Sequence, residues 1–181
     1  LFSALSNWWS NVRFYWKTAD KTASVVVALV ALLLAGFGWF LQAVFEERAD
    51  RQSLQCLALN IYYEARGESR AGQYAVAEVT MNRVASEYYP DTVCGVVYQK
   101  RWDYLRKRYV SAFSWTELDS QPAPEGREWR RALEVAEAVY YKRYLPRLEG
   151  VLHYHSVYIK PSWSRGRKPV ARIGRHLFYR S

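Results

Sequence analysis

Hydrophobic positions fall into two regimes along this chain. Between Thr22 and Phe45 no charged residue occurs. Val25, Val26 and Val27 and the stretch Leu29 to Leu34 make the run apolar on every side, and its polar residues Thr22, Ser24 and Gln42 stand near its ends. Roughly 20 apolar residues cross a bilayer core as a helix. A buried core helix or a signal segment are the alternatives. A core helix keeps one polar stripe at this length, and a signal h-region is shorter. The run is therefore predicted to be a single transmembrane helix, residues 22–45.

After Glu46 the pattern turns periodic. Leu54, Cys56, Leu57, Leu59, Ile61 and Tyr62 predict a helix leading to Glu64, broken by Gly67. Tyr74, Ala75, Val76, Val79, Met81 and Val84 recur at helical spacing, predicting a second helix from about Ala71 or Gly72. Pro90 and Asp91 mark a turn. Thr92 to Tyr98 fits either a short strand or a short helix. Lys100 to Tyr109 reads as a polar, basic and aromatic connection. Trp129, Ala132, Leu133, Ala136, Val139 and Tyr140 predict a helix over Glu128 to Tyr144, ended by Pro146 and Gly150. Residues 151–181 read as short strands or irregular loops. The expected organisation is an N-terminal segment 1–21, the span 22–45, a linker 46–53 and a domain 54–181.

Composition narrows the partners. The chain carries 26 Lys+Arg against 17 Asp+Glu, a formal net charge of +9, with 8 Trp, 15 Tyr and 7 Phe. Half of it is hydrophobic, which excludes a disordered tail. The balance favours an anionic partner: nucleic acid, lipid headgroups or an acidic polymer. Only Arg13, Lys17, Asp20 and Lys21 are charged ahead of Glu46, so the later domain is basic by itself. Arg13, Lys17 and Lys21 before the span, against Arg48 and Arg51 after it, give a small bias toward a cytoplasmic N-terminus. Trp8, Trp9, Phe14, Tyr15 and Trp16 suit either the headgroup region or a partner surface. The chain starts at Leu1, not Met, so preceding residues are expected.

Glu64 is the leading candidate for chemistry. At the C-terminal end of a helix the dipole disfavours a carboxylate, and burial against Tyr62 or Tyr63 does the same. Both raise its pKa toward that of an acid able to donate a proton near neutral pH. Protonating a glycosidic oxygen needs such a group. A surface glutamate paired with Arg66 or Arg70 is the competing reading.

The run CLALNIYYEARGES at 56–69 resembles the opening motif of the SleB-like cell wall hydrolase family. The resemblance continues through GQ at 72–73, AVA at 75–77, NRV at 82–84, YP at 89–90, VCGVVYQ at 93–99 and FSWT at 113–116. It runs on to HYH at 153–155, PSW at 161–163, and IG, H and FYR at 173–174, 176 and 178–180. It covers roughly residues 54–180. It implies an α+β, mainly α, lysozyme-like or lytic-transglycosylase-like fold. The activity implied is peptidoglycan glycosidase, cutting the β-1,4 bond between N-acetylmuramic acid and N-acetylglucosamine, with no cofactor and no metal.

By the same resemblance Glu64 is the essential acid. Asn82, Gln99, Ser114 and Trp115 are expected to bind sugar, with helix-packing or loop-ordering roles as the alternative. Tyr63, His153 and His155 are further candidates for binding substrate, the histidines by lining the groove or else by hydrogen bonding in the core. Glu68 is the nearest candidate for a second acid, or else orders the turn at Gly67. Cys56 and Cys94, in family motifs beyond the span, are expected to form a disulfide if the domain faces the periplasm. Ala112 stands where the family often has Gln, and Leu152 where Thr is common; both are expected near the groove.

His153 and His155, two apart on a strand, share a face and Tyr154 takes the other, so all three are not expected in the site together. A His pair with only His176 to join it is a poor metal set. Basic stretches Lys100 to Arg108 and Arg165 to Arg175 would suit nucleic acid or a muropeptide; the wall-enzyme motifs argue against nucleic acid. The expected setting is the bacterial inner membrane, with a periplasmic domain meeting glycan strands and residues 1–45 meeting lipid and possible membrane partners. The alternative is a non-catalytic peptidoglycan-binding or scaffold subunit of a membrane assembly.

Overall fold

In the computed structural model, residues 8–14, 21–104, 106–118 and 120–180 are described. Tyr15, Trp16 and Lys17 lie outside them. The chain falls into two units, Leu1–Arg48 and Ala49–Ser181.

The first unit contains a helical segment at 8–14 and the start of helix α1, which covers Lys21–Ala65. Its side chains from Val25 to Phe40 are exposed throughout, including Leu33 at 73% and Trp39 at 76%. This part is long and apolar enough to cross a membrane, by length and composition. Residues 46–53, read from the sequence as a linker, are helical instead. No Gly or Pro interrupts them, and Gln42 donates to Glu46 one turn on at 2.9 Å.

In the second unit the end of α1 buries Leu57, Ala58 and Ile61. Helix α2, Arg70–Val84, follows a tight turn at Gly67 and begins where Ser69 Oγ accepts from the Gly72 N–H. It is buried on most sides. Thr92 to Tyr98 resolves as helix α3, Val93–Val97, because Thr92 Oγ1 caps it by accepting from the Gly95 N–H at 3.1 Å. Helix α4 covers Gly126–Tyr140 and stops short of the predicted Tyr144, since Lys142 turns the backbone left-handed at φ 54°. Val96, Val97, Val135, Ala136 and Phe113 join Leu57 and Ile61 in the main core.

Lys100 to Tyr109 is not a plain connection. Strands β1, Lys100–Asp103, and β2, Arg108–Ser111, pair antiparallel with Trp102 opposite Tyr109, closed by a left-handed Lys107. The third layer is a sheet of β3 (Val151–Ser156), β4 (Ala171–Ile173) and β5 (His176–Arg180), antiparallel in the order β3-β5-β4. Phe178 on β5 packs with Ala75 and Val79 of α2 and with Val151 in a second core. The architecture is mainly helical with two small sheets, as the motifs imply. Cys56 and Cys94 are joined in a disulfide, tying α1 to α3 with Cα atoms 5.3 Å apart.

Candidate active site

Glu64 sits one residue before the end of α1, where the helix leaves the core. Its neighbours Tyr62 and Ala65 are buried, so its backbone is fixed on the side facing the sheet. There Tyr154, on β3, donates from its phenol to Glu64 Oε2 at 3.1 Å. The two line a cavity of about 720 Å³ with Glu68, Ser114, Glu117, Trp163 and His176 among its walls. Burial pushes the Glu64 pKa up; the Tyr154 hydrogen bond and the nearby Arg83 charge pull the other way without reversing it. Burial beside Glu64 raises the Tyr154 phenol well above its ordinary value, so it stays a donor. The site thus presents a carboxyl with increased proton affinity, held in one orientation, facing open space.

Glu68 also lines this space, but its chemistry differs. Both its oxygens are engaged by Arg175: the guanidinium Nε donates to Oε1 and the backbone N–H to Oε2. Burial alone would raise its pKa, and these bonds outweigh that and hold it low, so it is ionised. Arg175 also donates to the Gly67 carbonyl at 3.1 Å, which locks the α1–α2 turn to the β4–β5 turn. Gly174 is required there. Its φ is +57°, and an added Cβ would collide with Glu68 Oε2.

Among the expected sugar-binding residues the structure divides. Tyr63, Ser114 and His155 line the cavity. Tyr63 donates to the Pro122 carbonyl at 2.7 Å and stacks on Trp115 with centroids 4.7 Å apart. Trp115 itself stands behind Tyr63, its indole N–H donating to the buried Asn60 at 3.0 Å. Asn82 orders a loop. Its amide donates to the carbonyls of Leu148 (2.7 Å) and Val151 (3.0 Å), the loop-ordering role, and it is not among the residues lining the Glu64 cavity. Glu78, one turn earlier on α2, accepts from the N–H groups of Arg147 and Leu148 and secures the same loop. Gln99 and His153 line a neighbouring cavity of about 340 Å³ rather than the one holding Glu64. Ala112 borders both cavities, whereas Leu152 is buried.

The period-two rule placed the histidines correctly with respect to each other. Both rings lie against Trp163, at 5.4 and 5.5 Å. Tyr154 and His155, expected on opposite faces, both line the Glu64 cavity, and sequence reasoning missed that Tyr154 is the one that reaches Glu64. Its position inside the HYH motif was the available signal. Arg83, Arg175 and His176 were missed as well, the last weighed only as a third imidazole. Its Nδ1 is buried beside the cavity without a hydrogen-bond partner among the described residues.

Residues 67–179 match the family described as Cell Wall Hydrolase, a span that begins just past Glu64. The chain is 30% identical over 129 residues to the spore cortex-lytic enzyme of Bacillus subtilis, covering 71% of this chain and 38% of that protein. It is 29% identical over 129 residues to the spore cortex-lytic enzyme of Oceanobacillus iheyensis, covering 71% and 42%. It thus spans about two fifths of the length of these relatives. Among solved structures it is similar to the catalytic domain of the germination-specific lytic transglycosylase SleB from Bacillus anthracis. The identity there is 28% and the TM-score 0.53, with 70% of this chain and 92% of that one covered.

Proposed function

This chain belongs to the cell wall hydrolase family, and from its site we propose that it is a peptidoglycan glycosidase with Glu64 as general acid. One observation carries this: a half-buried carboxyl with raised pKa, oriented by Tyr154, opens into a cavity large enough for sugar rings. The bond cut is the β-1,4 link between N-acetylmuramic acid and N-acetylglucosamine. Glu64 gives its proton to the leaving O4 as the C1–O4 bond breaks and positive charge develops on the ring.

The nucleophile is the muramic acid's own 6-hydroxyl. Its oxygen bonds to C1, and its proton passes to the Glu64 carboxylate, which returns the acid to its starting state. Two observations support this over attack by water. Glu68 has both oxygens held by Arg175. Glu117, the other carboxylate at the cavity, accepts from the Ser111 N–H at 2.7 Å and pairs with Arg108. Both are already paired with arginines, which lowers their nucleophilicity and supports attack by the 6-hydroxyl. A domain that served only as a scaffold would have no need to keep a carboxyl in an environment that disfavours its charge.

The anchor belongs to the same reading. The apolar start of α1 spans the inner membrane with the N-terminus cytoplasmic, so the domain works in the periplasm close to the bilayer. The exposed apolar side chains, the flanking charges and the Cys56–Cys94 disulfide support this placement. Mass spectrometry of soluble products from purified sacculi tests the chemistry. Anhydromuramic ends are expected. Reducing ends alone would contradict the intramolecular step, and no new saccharide ends would contradict the glycosidase itself.

A further inference from the structure

Arg83, on α2, is only 8% exposed, yet none of the described carboxylates forms an ion pair with it. Its Nε donates to the Leu152 carbonyl at 2.8 Å. The guanidinium lies over two rings, 5.3 Å from the Tyr89 centroid and 5.2 Å from that of Phe113. Nothing described accepts from its two terminal nitrogens. Arg83 borders both the cavity that holds Glu64 and the adjacent one of about 340 Å³. The hydroxyl of Ser111, which borders the same two spaces, is buried and likewise without a partner.

A buried charge without a counterion is costly, and interiors avoid it. The carboxyl whose charge Arg83 favours is Glu64, which forms no ion pair with it, and the other carboxylates at hand are used elsewhere. Glu68 is held by Arg175, Glu117 by Arg108, and Asp103 by Arg106. A planar guanidinium with free N–H groups matches a carboxylate fork to fork, and its flat faces are already packed on aromatics.

We propose that Arg83 receives a carboxylate of the glycan strand at the wall between the two cavities, with the Ser111 hydroxyl as a second donor. This rests on the reading of the substrate as peptidoglycan. That polymer carries the required chemistry in two places: the lactyl group of muramic acid where the stem peptide has been removed, and the stem peptide where it remains.

Equilibrium binding by the full chain in detergent tests this. Three soluble oligosaccharides of equal length serve as probes: peptide-free with lactyl carboxylates, the same converted to neutral methylamides, and peptide-bearing. The methylamide is expected to bind at least tenfold more weakly than one of the charged forms, and the charged form that binds best identifies the source. Arg83→Gln is expected to abolish the difference while still binding sugar. Equal binding of neutral and charged forms by the wild type would overturn the proposal, even if Arg83→Gln does not fold. A preference that survives in a folded Arg83→Gln would overturn it too. Because binding is read rather than cleavage, a protein that shows the charge preference but releases no new saccharide ends refutes the glycosidase reading alone.

Discussion

Burial raises the proton affinity of Glu64, and the two groups that favour its charge, Tyr154 and Arg83, only moderate the effect. The sign has consequences. A raised pKa keeps the acid form present to higher pH than in an ordinary carboxylate, so activity is expected to fall as pH rises through it. Tyr154 donates to the ionised form as well as orienting the acid. Tyr154→Phe is expected to move that falling limb to higher pH and to lower the maximal rate about tenfold, the scale of one lost hydrogen bond at a critical group. A pH–rate profile of the two proteins checks both effects. At this scale the sequence was informative where a motif names a residue. Glu64 was legible from the EARGE run and its place at a helix end. Tyr154 was not, because alternation along a strand says which residues share a face and leaves open which face meets the acid. For Asn82 the sequence left a sugar-binding and a loop-ordering role open, because it does not show the carbonyls of Leu148 and Val151 that the amide meets in the fold.

Elements bring the acid and its partner together from positions far apart in the chain. Two ties hold the end of α1 in place. The disulfide from Cys56 to Cys94 closes a loop with a sequence separation of 38. In the chain-entropy account a loop of that size contributes about 4 kcal/mol, so Cys56→Ser with Cys94→Ser is expected to lose close to that in a denaturant titration. The second tie is Glu68 with Arg175. Its carboxylate is held ionised, so its contribution is present above the ordinary carboxylate pKa and is lost as pH falls through the lowered one. Gly174→Ala places a Cβ against that carboxylate at a left-handed φ. A loss of about 1 kcal/mol or more is expected, read as a lower Tm. Helices were well predicted because their apolar spacing is long and regular. The β1–β2 hairpin was hidden, since its strands are short, basic and exposed and offer no alternation to detect. The linker at 46–53 dissolved into α1 because charged residues are good helix formers and nothing there stops a helix.

At the scale of the whole molecule, the apolar start of α1 and the basic domain are chemically distinct parts of one chain, and the proposed anchor is tested on the first. The full chain is expected in the membrane fraction, released by detergent and not by high salt. Deleting residues 1–48 is expected to move the protein to the soluble fraction; a truncated form that still sediments with membranes would contradict the anchor. A division near residue 48 was legible in the sequence, because the uncharged run from Thr22 to Phe45 contrasts with the periodic pattern that follows it. Which carboxylates were free, and which were bound to arginines from distant turns, needed the fold. The account as a whole depends on the proton carried by Glu64. The most direct measurement is digestion of purified sacculi by the wild type and Glu64→Gln at matched concentration, with soluble saccharides counted by mass spectrometry. Glu64→Gln should melt no lower than the wild type at neutral pH, since it removes a buried ionisable group, and should release almost nothing. A folded Glu64→Gln that digests sacculi as the wild type does would contradict the account.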